Sequence, residues 1–131
     1  MTVERINPDG LPVPASYTHI AIASGTRLVF IAGQVAEDAD DNLVGAGDFA
    51  AQARQAFANL RLCLDAAGAT PKQVARITIY VVDHRPEYLA DISAARAAAL
   101  DGHKPADTIL GVQTLAEPGR MIEVEAIAVL D

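Results

Sequence analysis

The sequence is poor in several things, and each shortage narrows what the chain can be. It has one cysteine, Cys63, so no internal disulfide can form, and a reducing, cytoplasmic setting is expected. It has no tryptophan, and much of its 51% apolar content is alanine. A chain of 131 residues is then one domain, 1–131, with a modest core. Chains of this kind often gain core by oligomerising. Lysine and arginine are scarce, ten against 17 acidic residues, and they form no run. The net charge of −7 argues against nucleic acid as a partner, because neutralising phosphates takes clustered cations. No apolar run approaches the roughly 18 residues of a membrane span, and no basic segment followed by an apolar run marks a signal peptide. No membrane partner is expected.

Several site chemistries are missing as well. His19, His84 and His103 are isolated, without metal-ligand spacing. Asp38, Asp40 and Asn42 imitate the start of a calcium loop, but Phe49 stands where the twelfth-position glutamate is required. There is no glycine motif for cradling phosphate. Ser16, Ser24 and Ser93 sit in no nucleophile elbow. The expectation is a site with neither metal nor organic cofactor.

The remaining pattern reads as an ordered series of elements. Residues 1–16, with Pro8-Asp9-Gly10, read as an irregular arm. Tyr17–Ala23 and Arg27–Val35 are β-rich, and Ser24-Gly25-Thr26 between them suggests a tight hairpin. Glu37–Gly47 is an acidic loop. Asp48 can cap a helix to Ala67, whose stripe runs through Phe49, Ala53, Ala56, Phe57, Leu60 and Leu64, with Gly68 as its stop. Thr70–Gln73 is a short capped turn. Ala75–Val82 alternates as a half-buried strand, and Pro86–Leu100 forms a second helix with Tyr88, Ile92, Ala95 and Ala99 inward. Thr108–Val112 and Met121–Val129 are the last strands. The order β-β-α-β-α-β-β predicts an α+β fold, a mixed sheet with both helices on one face. The other sheet face has no cover of its own, which again favours an oligomer.

Five segments in this order resemble the Rid family (reactive intermediate deaminase, YjgF-like). They are Ala32-Gly33-Gln34-Val35, Ala53–Leu60 with Ala66-Ala67-Gly68, Ile77–Asp83, Lys104-Pro105-Ala106, and Ile122–Ala128. The similarity runs from about Tyr17 to Val129. It implies a chorismate-mutase-like fold, a homotrimer, and small-molecule ligands held in clefts between subunits. Many family members hydrolyse enamines or imines to ketones and ammonia. They use an arginine directly after the Pro-Ala to pair with the substrate carboxylate, and a glutamate on the last strand to position water.

Here the arginine position holds Asp107. It reads either as a pocket acid that repels carboxylates and suits an amine, a hydroxyl or a protonated imine, or as an exposed turn residue. Ordinary 2-imino acids should then be poor substrates unless another arginine has moved in. Arg120 is the nearest replacement in sequence, and Arg27 another; either can equally be a solvated turn residue. Glu123 matches the water-positioning glutamate, and Glu125 points the same way along its strand; the two read either as cleft carboxylates or as a solvated or lysine- or arginine-bridged pair. Gly33 falls where backbone approaches the ligand, or where a bulge sits. The neighbouring family serine is Ala32, and a frequent family cysteine is Ile109, which excludes thiol chemistry there. Tyr17 lies near the implied cleft or packs in the interior; Thr108 can hydrogen-bond a ligand or be an ordinary strand residue, the backbone at Leu110 would hold the ligand in the enzyme reading, and Cys63 reads as a structural thiol. The expected activity is enamine- or imine-deaminase-like hydrolysis with altered substrate choice. A non-catalytic, trimeric metabolite-binding or regulatory protein is the alternative. The family's endoribonuclease reading fits less well with the acidic balance.

Overall fold

The structure is a computed structural model and describes residues 3–131. The order is β1 (Val3–Ile6), β2 (Ile20–Ala23), β3 (Arg27–Val35), α1 (Phe49–Ala67), a 3-10 turn (Pro71–Gln73), β4 (Val74–Val82), α2 (Tyr88–Ala99), β5 (Ala106–Val112) and β6 (Ile122–Leu130). Four strands form a mixed sheet in the order β3-β6-β4-β5. β6 runs antiparallel to both neighbours, and β4 and β5 are parallel. The fold is the α+β arrangement that the element order predicts, and the chorismate-mutase-like one that the resemblance implies.

Local chemistry sets the helix ends. The Asp48 side chain accepts from the Ala51 amide at 3.1 Å, filling one of the donors a helix start leaves open. Gly68 adopts φ +74°, the left-handed stop that a residue without Cβ takes at no steric cost. α1 buries Phe57, Leu60 and Leu64 fully against Ile77 and Ile79 of β4 and Ile122 and Val124 of β6. Ile92 and Leu100 close the same core from α2 and its end. Phe49 and Tyr88 stack across the two helices at 3.7 Å between ring centroids. Gln52 is the polar member of this interior. Its amide donates to the Gly45 and Gly119 carbonyls and accepts from the Met121 amide, tying α1 to the loop that enters β6.

Two sequence expectations need correction. The opening arm is not wholly irregular, since Val3–Ile6 forms a strand. β2 and β3 are also not a hairpin: β2 pairs antiparallel with β1, Ile22 opposite Glu4, in a separate two-stranded sheet. The reason lies at Gly25. None of Ser24, Gly25 and Thr26 has the positive φ that a two-residue hairpin turn requires. A Cβ at Gly25 would lie 2.4 Å from the Leu130 carbonyl oxygen, and the Thr26 amide donates to that same oxygen at 2.9 Å. The glycine therefore marks a close crossing of the end of β6.

The helix-free face of the sheet is open. Leu28 and Phe30 on β3 are 63% and 71% exposed, and Leu110 on β5 is also exposed. Among the described residues, no helix is long and apolar enough to cross a membrane.

Candidate functional site

The parallel register of β4 and β5 decides where the pocket residues face. Asp107 pairs with Ile77, and Ile109 with Ile79, so both point to the helix side. Thr108 pairs with Thr78 and Leu110 with Tyr80, on the open face. Asp107 is thus not an exposed turn residue. Its Oδ2 accepts a hydrogen bond from Arg96 of α2, and both side chains of this ion pair are only 4% exposed. A second Arg96 nitrogen faces the Ser93 hydroxyl at 3.4 Å. Burial pushes the Asp107 carboxyl up, while the Arg96 charge and then Arg76 oppose the rise. Burial likewise lowers Arg96, against the pull of Asp107.

A cavity of about 340 Å³ opens beside this pair, lined by Ser16, Tyr17, Leu89, Ser93, Arg96, Asp107 and Ile109. Tyr17 is held there by its neighbour Thr18. The Thr18 hydroxyl donates to the Lys104 carbonyl at 2.6 Å, and its amide to the Pro105 carbonyl at 3.2 Å, pinning this segment to the start of β5. The arginine that lines this cavity is Arg96; Arg120 and Arg27 are not among its lining residues. A signal for it was present. Arg96 follows Ile92 by four residues and precedes Ala99 by three, so it shares a buried helix stripe and must find a partner there.

Glu123 occupies a different place. It pairs with Tyr80 and lies on the open face, as does Glu125, opposite Thr78. Between Ile31 and Gln34 the β3–β6 ladder slips by one residue, a bulge at Ala32-Gly33. A Cβ on Gly33 would fall 1.7 Å from Glu123 Oε2, so the glycine makes room for this carboxylate. Tyr80 donates its hydroxyl to Glu125, and this bond chiefly raises the phenol's pKa. Arg76 donates to the Thr108 hydroxyl at 2.9 Å.

Arg120 belongs to neither group. Its side chain is 6% exposed and faces Glu117 at 3.1 Å and Glu37 at 3.5 Å, with its Nε buried and unpartnered among the described residues. Arg27 reaches the Asp131 carbonyl at 3.4 Å. Cys63 packs at the edge of the core. Among the described residues, no group of three or more His, Cys, Asp or Glu side chains could hold a metal ion.

Within one chain, then, Tyr17, Arg96 and Asp107 share a cavity on the helix side of β5. Glu123, Gly33, Thr108 and Leu110 share the open face. The two groups lie on opposite sides of the same sheet.

The fold is a two-helix, mixed-sheet α+β unit with a cavity of about 340 Å³ at its β5 edge. The family described as endoribonuclease L-PSP matches residues 9–130, and the chain belongs to it, the Rid or YjgF-like family. A RutC family protein of Pyrococcus horikoshii is 30% identical over 122 residues, covering 86% of this chain and 96% of the relative. The crystal structure of YyfB from Yersinia pestis, a Rid protein described as of unknown function, superposes with a TM-score of 0.92. It shares 42% identity over 99% of this chain and all of that one. A Mycobacterium tuberculosis member of the YjgF/YER057c/UK114 family is 30% identical with a TM-score of 0.64, covering 88% of each chain.

Proposed function

We propose that this protein is a Rid-type small-molecule hydrolase that adds water across a C=N bond and releases ammonia, on substrates other than ordinary 2-imino acids. The observation that carries the substrate choice is the buried Arg96–Asp107 pair. Arg96 brings the guanidinium that a substrate carboxylate needs into the cavity, but Asp107 already holds it. A planar guanidinium that is paired in the resting site gives little to a second carboxylate. An uncharged or cationic imine meets no such competition.

In the reaction, one imine and one water give one carbonyl compound and one ammonia. Glu123 accepts a proton from water as its oxygen attacks the imine carbon, and the nitrogen gains a proton as the π bond opens. The tetrahedral aminoalcohol then collapses: its hydroxyl proton passes by way of the carboxylate to the nitrogen, the C–N bond breaks as the C=O forms, and the nitrogen departs as ammonia. One carboxylate in proton exchange with water and nitrogen serves both steps. Because Glu123 and Asp107 lie on opposite sides of one sheet, a complete cleft takes Glu123 from one copy and the Tyr17, Arg96 and Asp107 cavity from another. The exposed Leu28, Phe30 and Leu110 suit burial in such an assembly, a homotrimer by family resemblance. Nothing in this scheme calls for a metal or organic cofactor.

The same separation of Glu123 from the cavity supports a second reading, a trimer that binds a metabolite without turning it over. Ammonia release distinguishes them. Imines generated by oxidation of benzylamine and of alanine would be supplied to the wild type and to Glu123→Gln. Faster release from the benzylamine imine, little from 2-iminopropionate, and loss of the effect in Glu123→Gln is the expected result. No acceleration of either imine would overturn the hydrolase and leave the binding protein.

A further inference from the structure

A cavity of about 750 Å³ lies away from Asp107, between β1, the 3-10 turn and the segment that follows α2. In a chain with a net charge of −7 it is lined by Arg5, Arg61 and Lys72 against a single acid, Asp101. Arg61 is committed to the protein: it bonds Asp65 at 3.0 Å, the Ala99 carbonyl at 3.0 Å and Asp101 at 3.4 Å. Those contacts fix one wall and neutralise Asp101. Arg5 and Lys72 have no ion-pair partner among the described residues, and both act electrostatically on the half-buried His103, which lines the same cavity. His103 Nε2 lies 2.9 Å from the Val74 carbonyl. A carbonyl only accepts, so Nε2 carries the proton and Nδ1 remains. Thr70 adds a hydroxyl to the rim.

We infer that this cleft is a binding site for a phosphoryl group of a small metabolite, held between Arg5 and Lys72 with Thr70 and His103 beside it. A fork-shaped guanidinium, a compact ammonium and one hydroxyl, supplied by different elements to one cavity, suit a tetrahedral dianion. Nucleic acid fits worse, because two unpaired cations in one cleft make no track along a phosphate backbone. The site is independent of the hydrolase reading, since it shares no lining residue with the Tyr17–Asp107 cavity.

The imidazole supplies a readout. Burial first, then Arg5 and Lys72, lower its pKa, while the Val74 hydrogen bond opposes. The other charged groups around it are Arg61 and Asp101 in the cleft and Arg96 and Lys104 lining a small cavity on its other side. A dianion between Arg5 and Lys72 cancels their repulsion and raises the His103 pKa, so binding takes up protons below neutral pH.

The test uses the full chain and inorganic pyrophosphate at low ionic strength, with calorimetry for affinity and the His103 ring resonances for its titration. One pyrophosphate per chain is expected, with affinity at least fivefold weaker in Arg5→Gln and in Lys72→Gln and largely kept in Lys72→Arg. Arg54→Gln, on an exposed part of α1, should leave it unchanged, and the His103 pKa should rise on binding. Equal affinity in Arg5→Gln, Lys72→Gln and wild type, or a His103 titration that pyrophosphate does not move, would overturn the site. So would a short single-stranded RNA binding far more tightly than pyrophosphate.

Discussion

Replacing Asp107 by alanine should turn Arg96 from a paired group into an unsatisfied one. Both side chains are almost wholly out of water, and among the described residues the Arg96 side chain's other polar contact is the Ser93 hydroxyl at 3.4 Å. Breaking a buried pair by removing one partner costs about 3–5 kcal/mol. The adjoining cavity lets some water reach the guanidinium, so the lower end, about 3 kcal/mol, is expected. For a chain of this length that corresponds to a Tm lower by about 10–15 °C. A carboxylate that enters the cavity can take the place of the missing one. At a hundred times its Kd such a ligand returns about 2.7 kcal/mol, most of the loss. Thermal denaturation at neutral pH should therefore show pyruvate raising the Tm of Asp107→Ala by about 10 °C while barely moving the wild type. Removing both charges in Arg96→Met/Asp107→Leu should leave stability within about 2 kcal/mol of wild type, or above it. If Asp107→Ala is as stable as wild type, or if pyruvate raises both proteins equally, Arg96 is not held by Asp107 and the proposed substrate restriction fails with it.

Three more outcomes follow from particular contacts. Gly25→Ala sets a Cβ against the Leu130 backbone, which cannot swing aside, and should cost about 1–3 kcal/mol in chemical denaturation. Gly33→Ala meets the Glu123 side chain first, which can rotate; its stability should stay within about 1 kcal/mol of wild type, while ammonia release falls as far as in Glu123→Gln. The folded-state pKa of His103 lies below the ordinary 6.5, so the unfolded chain binds more protons in that interval and stability falls as pH drops through 6.5. Denaturation curves from pH 7 to pH 5 should show this slope in wild type and a flatter one in His103→Gln.

The legible parts of the fold were those governed by neighbours in sequence. The α1 stripe from Phe49 to Leu64, its Asp48 cap and its Gly68 stop act within a few residues of one another, and all three are present. β4 alternates as read, because one of its faces packs on helices and the other does not. The bulge at Gly33 was also foreshadowed, since a glycine inside a strand rarely lacks a steric reason. The hairpin at Ser24–Thr26 was misread for a related reason. Glycine signals that something comes close but does not say what, and here it was the Leu130 carbonyl from the far end of the chain.

The site divides along the same line. The sequence by itself determined the family, the α+β order of elements, the aspartate in place of the arginine and the glutamate on the last strand. Periodicity, caps and motif order are all local properties. Only the tertiary structure decided that Asp107 faces the helices and Glu123 the open face, and that α2 carries Arg96 to the aspartate. It also gathered Arg5, Lys72 and His103 around one cleft. Those facts depend on strand register and on how a helix docks against a sheet edge. Both are set by burial of the whole core, and a charge pair between two elements leaves no periodic trace in either one.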